Sequence, residues 1–417
     1  MNKSQDDKLI KYTAPNLLIK KCIKEKKEID KIFLLNYLQK ELHELLNSFL
    51  NSGYSTKGFI LYPIVKDVSR KNFERLLALS EIIILLNKKG YDFSNSVENF
   101  NKPKSNDCYY FASMLSNLYK DFRRLKLPNT KLESKKKLKV MEYRKDSRYL
   151  APLINLKDYI GKNLKKDIIA FYLHGSFATD DYIQGWSDVD TFATIRHESI
   201  ENPKKLLELR DKFYLLRRIL LQLDPLQHHG CIIVAEQDLK YYPENFLPLT
   251  TINYGKSMLE KDGIGKIYTR SSAYENIYTF SWFVNYFRKL YEAKVYQMDS
   301  YSTKFLLHCI TLFPTLYLQV KGIHIYKKYS FNIAKKDFAG NLWKPFEIVE
   351  KIRENWKCFP TLPLIRSMAR INPLLWYQVN ARFFSAAKSN KIDIRNLAYS
   401  MYETSDYAWS EIKKRLK

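Results

Sequence analysis

Two short stretches of this chain carry residue types that could do chemistry together. Asp188-Val189-Asp190 sets two carboxylates two positions apart, and Gly175-Ser176 closes an apolar run at Ile168–Leu173. On a strand, side chains two apart share a face. Asp188 and Asp190 are therefore expected to point the same way, with Val189 buried behind them. Paired carboxylates repel unless something positive sits between them. A divalent cation is the natural occupant, and Mg²⁺ takes one or two carboxylates together with phosphate oxygens and water. The glycine lets backbone N–H groups come close to an anion, and the serine hydroxyl can donate to a phosphate oxygen. If Phe177–Gly185 opens as a helix, its N-terminus adds positive dipole at the same place. A phosphate cradle beside a metal-binding acid pair is suited to attack at the α-phosphate of a nucleotide.

The order of these features is an apolar strand, Gly175-Ser176, ten residues, then Ser187-Asp188-Val189-Asp190. It resembles the signature of the polymerase β-type nucleotidyltransferase superfamily, which includes tRNA nucleotidyltransferases, poly(A) polymerases, antibiotic adenylyltransferases and cyclic-oligonucleotide synthases. The resemblance covers about 25 residues. It implies transfer of a nucleoside monophosphate from an NTP to a hydroxyl with two Mg²⁺ ions. It also implies that Gly175, Ser176 and Ser187 lie at the nucleotide and that Asp188 and Asp190 hold the metals. In several branches a lysine followed by serine or tyrosine in a helical C-terminal domain reaches the β- and γ-phosphates. Lys327 or Lys328 with Ser330 looks similar, although a solvated basic turn fits the same residues.

The superfamily usually adds a third carboxylate from a later strand. The matching stretch here is His228–Val234, where His228, His229 or Gly230 stands in the acid's place. Three explanations compete. A histidine replaces the acid, with His229 or His228 as ligand or base; Asp224, Glu236 or Asp238 reaches in from the strand's ends; or the acid is lost. His174, just before the bend, reads as a buried, hydrogen-bonded histidine.

Periodicity locates the elements expected to carry these residues. Ile29–Leu50 and Phe73–Leu86 show helical spacing of apolar residues, with Gly53 and Gly90 as stops. Lys131–Arg148 carries eight basic and three acidic side chains, read as a linker or solvated helix face, or alternatively as a backbone-binding patch. Strands are expected at Ile168–Leu173, Val189–Ile195 and Gly230–Val234, with a helix at Pro203–Leu223 between the last two. Helix returns at Phe305–Leu318 and Trp343–Trp356, with Trp343, Trp356 and Trp376 as core. Pro360, Pro363 and Pro373 punctuate the next stretch of chain. The expected fold is α+β: a small mixed-sheet core at 149–250, a helical N-terminal region at 1–148 ending in a basic linker, and a helical C-terminal domain at 251–417.

Composition bounds the partners. The 417 residues hold 70 Lys+Arg against 44 Asp+Glu, a formal net charge of +26, which draws polyanions. An RNA acceptor, such as a tRNA end, is the first expectation. A small-molecule or second-messenger product is the alternative, and a nucleotide-binding regulator with weakened catalysis is the third. No apolar run approaches a membrane span, and Met1–Lys11 has no apolar h-region. Cys22, Cys108, Cys231, Cys309 and Cys358 are scattered, as buried free thiols of a cytoplasmic protein would be.

Overall fold

The computed structural model describes residues 19, 28–51, 68–100, 107–128, 130–143, 150–224, 226–227, 229–261, 263–270, 273–356, 388 and 390–415. Gly53, His228, Trp376, Cys22, Cys358, the three prolines beyond 357 and the end of the basic stretch, 144–149, lie outside them.

Among the described residues the N-terminal part holds the helices α1 (Lys31–Asn51), α2 (Arg70–Lys88), α3 (Ser94–Phe100) and α4 (Cys108–Arg124). Their apolar stripes are buried as the periodicity predicts, from Leu34 to Leu50 on α1 and from Phe73 to Leu86 on α2. The basic stretch departs from expectation. Lys131–Ser134 is neither helix nor linker but strand β1. After α5 (Ala151–Asn163) the central elements are β2 (Ile168–His174), a single helical turn α6 (Ser176–Thr179), β3 (Asp190–Ile195), α7 (His197–Ile200), α8 (Pro203–Leu223), β4 (Ile232–Ala235), β5 (Tyr242–Pro243), α9 (Leu249–Ile252), β6 (Lys256–Ser257) and β7 (Lys266–Arg270). The C-terminal part is helical: α10 (Ala273–Glu292), α11 (Ser300–Val320), α12 (Lys327–Ala334), α13 (Lys344–Glu354) and α14 (Ile394–Arg415).

The main sheet has the order β4-β3-β2-β6, with β2 antiparallel to β3 and β6, and β3 parallel to β4. A second sheet, β1-β7-β5, explains why the basic stretch is extended, because β1 pairs antiparallel with β7 along its whole length. Alternation on the main sheet sorts two cores. Phe171, Leu173, Ala193, Ile195 and Ile233 face the N-terminal helices, while Tyr172, Phe192 and Val234 pack with Leu138 and Ile267 on the other side. Both faces are therefore covered. The C-terminal helices bury a core of their own, which includes Trp343 and Trp356.

The edge of β4 is closed by side chains. Asn47 and Asn51, one turn apart on α1, each grip the backbone of an alternate strand residue. Asn47 donates to Ile233 O (2.7 Å) and accepts from Ile233 N–H (2.8 Å). Asn51 does the same with Cys231 (2.9 and 3.1 Å). Two carboxamides thus stand in for a missing strand and leave no open edge there. A Cβ on Gly230 would lie 2.0 Å from Asn51 Oδ1, so the contact requires glycine at that position. Further along, Gln39 of α1 donates to Asp238 (2.9 Å) and accepts from Arg270 (3.0 Å), which pairs with Glu275.

Burial pushes the Asp238 carboxyl up to about 6, against hydrogen bonds from Gln39 and the Ala235 N–H that act the other way. Between roughly pH 4 and pH 6 the unfolded chain has lost this proton while the folded chain keeps it. This carboxyl therefore lowers stability as pH rises through that window, by about 3 kcal/mol. Denaturant unfolding from pH 4 to 7 should show Asp238→Asn gaining on the wild type by about that amount. Parallel stability curves would contradict it.

Candidate active site

The two motifs meet where β2 ends and β3 begins. His174 and Asp190 are directly paired across the two strands, so the bend after His174 lies against the Asp190 carboxylate. Gly175 has φ 69° and ψ −157°, a conformation that only glycine adopts readily. A Cβ there would fall 2.2 Å from Asp190 Oδ2. Conformation and space both demand glycine. Ser176 is half-buried, and its hydroxyl makes no hydrogen bond among the described residues. The helix after it is one turn, shorter than the expected opening over Phe177–Gly185, because Asp180 takes a left-handed conformation (φ 61°) and stops it. A single turn brings little dipole to the bend.

Asp188 sits in the loop just before β3 rather than on the strand, yet its carboxylate converges with that of Asp190. Ligand-type atoms of Asp188, Asp190 and His229 all lie within 4.8 Å of one another. His229 Nε2 is 2.9 Å from Asp188 Oδ2 and 3.1 Å from Asp190 Oδ1, and Nδ1 is 3.0 Å from Gly230 O. Both ring nitrogens face oxygen acceptors, which only the doubly protonated ring can satisfy. Burial by itself would lower the His229 pKa; hydrogen bonds and charge from Asp188 and Asp190 outweigh it and hold the ring well above the ordinary imidazole range. Burial likewise works to raise the pKa of Asp188, and His308, His229 and Lys304 together keep it well below the usual carboxylate range. A positive ring thus occupies the point between the carboxylates where a divalent cation would neutralise them. The two oxygens suit such a cation, with the imidazole available as a third donor once it gives up a proton.

The three acids near the third strand are engaged elsewhere. Asp224 is buried against Lys304 Nζ at 2.5 Å. Glu236 binds His197 (2.9 Å), and Asp238 is held by Gln39 and Ala235. His174 is buried as expected, but its Nε2 has no hydrogen-bond partner among the described residues.

The loop carrying Asp188 is fixed from several directions. Ser187 is buried, and its hydroxyl accepts from the Ile183 N–H (2.9 Å). Gln227 donates to Val189 O (3.0 Å), and Val189 itself is fully buried. Trp186 inserts into the core of the C-terminal helices. There it stacks on His308 (5.1 Å, 6°) and meets Trp356 edge-on (5.0 Å). His308 Nε2 in turn lies 4.0 Å from Asp188 Oδ2. Lys304 and His308 share one face of α11, four residues apart.

On α12, Lys327 is half-buried with no ion pair among the described residues, while Lys328 pairs with Asp181 (2.7 Å). Ser330 is fully buried. Its hydroxyl donates to Lys327 O (2.7 Å) and lies 3.0 Å from Thr315 Oγ1, which ties α12 to α11. Tyr326 reaches Thr179 beside the bend (3.5 Å) and stacks on Tyr254 (4.8 Å).

Trp186, Lys304, His308 and the Asn47/Asn51 pair were not singled out by the sequence patterns. Trp186 directly precedes Ser187-Asp188, and the two pairs are polar residues four apart on one face of a helix. That spacing is the signal each offered.

Comparison with known families gives one result. Residues 153–263 match the model of a family described as a nucleotidyltransferase domain. This chain carries a nucleotidyltransferase domain. The match spans the Gly175-Ser176 bend, both aspartates, His229 and the main sheet as far as β6, about a quarter of the chain. No curated protein and no solved structure gives a significant match. A nucleotidyltransferase domain moves a nucleoside monophosphate to an acceptor, so the chain is an enzyme of the transferase class. Among the described residues no helix is long and apolar enough to cross a membrane.

Replacing Gly175 with alanine should force the Asp190 carboxylate aside. The expected result is a fall in nucleotidyl transfer of roughly 100-fold and a stability loss of about 1–3 kcal/mol. Initial rates and urea midpoints on the purified variant check both. Near wild-type transfer would show that the bend tolerates a side chain.

Proposed function

We propose that this protein is a Mg²⁺-dependent enzyme that transfers a nucleoside monophosphate from an NTP to a hydroxyl on RNA, with a tRNA-like end as acceptor. The observation that carries this reading is the convergence of Asp188 and Asp190 within 4.8 Å of His229, with Asp190 packed against the Gly175 bend. The formal net charge of +26 supports a polyanionic acceptor.

In this reading the NTP lays its triphosphate on the Gly175-Ser176 bend. The backbone N–H groups there and the unengaged Ser176 hydroxyl donate to phosphate oxygens. Lys327, half-buried on α12 and without an ion pair among the described residues, supplies positive charge for the far phosphates. Lys328 is the alternative once it leaves Asp181, and buried Ser330 anchors the helix that carries them. Asp188 and Asp190 would hold two Mg²⁺ ions, with Ser187 keeping their loop in place. When bound, such ions lower the pKa of an acceptor hydroxyl and neutralise charge on the departing pyrophosphate. His229, positive between the two carboxylates, keeps the pair from repelling itself apart while no metal is bound. Only after metal ions take over that role and the ring loses its proton could it serve as a base for the acceptor hydroxyl. Tyr254 and Tyr329, both exposed and in ring contact (5.7 Å), offer a face for a base. The division into a helical region at 1–148, a core at 149–250 and a helical domain from 251 belongs to the same proposal, with β6 supplied from just past the second boundary. A cytoplasmic site of action fits an RNA acceptor.

Incubating the protein with Mg²⁺, each α-labelled NTP and total RNA tests the proposal. Label should appear on RNA, and Asp188→Asn with Asp190→Asn should reduce it at least ~1,000-fold without unfolding the chain. Label on a small product instead would select a small-molecule or second-messenger enzyme. Absence of pyrophosphate release with every NTP would select a nucleotide-binding regulator.

A further inference from the structure

The ring of Trp186 is surrounded by basic side chains. His308 stacks on it, Lys304 Nζ lies 5.8 Å from its centre, and the guanidinium carbon of Arg353, from α13, lies 5.7 Å away. These three basic groups are satisfied to different degrees. Lys304 is neutralised by buried Asp224 at 2.5 Å. His308 lies 4.0 Å from Asp188 Oδ2. Arg353 is half-buried, its side chain forms no ion pair or hydrogen bond with any described residue, and its Nε is shut away from solvent without a partner among them. Burial lowers its pKa, against the charges of Glu350 on its own helix and then of Asp181 and Asp188, the latter one of the acid pair.

A guanidinium whose Nε is withdrawn from water and meets no acceptor among the described residues is unfavourable as it stands. Its fork of donors matches a phosphate in two-point fashion. The Trp186 ring restricts the side chain's freedom, so little order remains to be lost on binding. Lys327 serves the bend from α12, whereas Arg353 stands with the Trp186–His308 group beside Asp188. The two cations therefore mark different places.

We propose that Arg353 is a phosphate-binding residue of a second anion subsite beside Asp188, taking either a phosphate of the NTP or the phosphodiester next to the acceptor's terminal hydroxyl. The inference rests on the nucleotidyl-transfer function proposed above and names a residue outside the matched domain.

Calorimetric titration separates the sources. Wild type, Arg353→Gln and Arg353→Lys are each titrated, in Mg²⁺, with α,β-methylene NTP analogues and with a short single-stranded oligoribonucleotide bearing a free 3′ hydroxyl. Arg353→Gln should weaken one of the two by roughly tenfold or more. Arg353→Lys should recover part of the loss, and the thermal midpoint should stay at the wild-type value. If Arg353→Gln lowers that midpoint, Arg353→Lys carries the comparison, because it keeps charge and stem but not the fork. Weakened analogue binding assigns the subsite to the NTP, and weakened oligonucleotide binding assigns it to the acceptor. Wild-type affinity for both ligands in both variants overturns the inference and makes Arg353 a packing residue on Trp186. Failure of the wild type to bind either ligand sinks the nucleotidyl-transfer reading itself, and this inference with it.

Discussion

Two carboxylates held side by side and partly out of water repel each other, and the architecture around Asp188 and Asp190 answers that repulsion. His229 bridges them at 2.9 and 3.1 Å. His308 stands 4.0 Å from Asp188, and Lys304 adds charge from deeper in the same helix. The bridging ring comes from the segment before β4, and the other two groups come from α11. The site is therefore completed only when the core and the C-terminal helices are docked. Removing any of these basic groups would return part of the repulsion to the loop that carries Asp188.

The same constraint links the N-terminal helices to the chemistry. β4 is parallel to β3 and would otherwise present a bare edge. The carboxamides of Asn47 and Asn51 clamp it, and the second clamp sits at Cys231, two residues from His229. On the opposite side, Trp186 leaves the core and enters the apolar centre of the C-terminal helices. The acid pair is thus framed by one polar clamp from α1 and one aromatic insertion toward α11 and α13. Helical flanks with no residue among the site's ligand atoms still fix where those atoms lie.

Much of this was legible in the sequence because it depends on local pattern. Helical periodicity located α1, α2 and α8, and α8 runs over Pro203–Leu223 as the spacing predicts. The apolar runs located β2, β3 and β4 to within two residues. Gly175 was readable as a bend, although the clash with Asp190 that forbids a side chain emerges only when β2 and β3 pair. What escaped depended on distant partners. Lys131–Ser134 reads as a polar linker because its strand character comes from β7, more than a hundred residues away. Asp188 lies in a loop rather than on the strand because Ser187 and Gln227 hold that loop by hydrogen bonds that no spacing announces. Nor does any spacing announce the tertiary pairing that commits Asp224, Glu236 and Asp238 to other partners and brings His229 against both aspartates.

The most direct test of the central claim is a crystal structure with Mg²⁺ and an α,β-methylene NTP analogue bound. The account predicts density for a cation between Asp188 and Asp190, the triphosphate against Gly175 and Ser176, and His229 displaced from its bridging position. A nucleotide bound away from the bend, with His229 still spanning the two carboxylates, would contradict it.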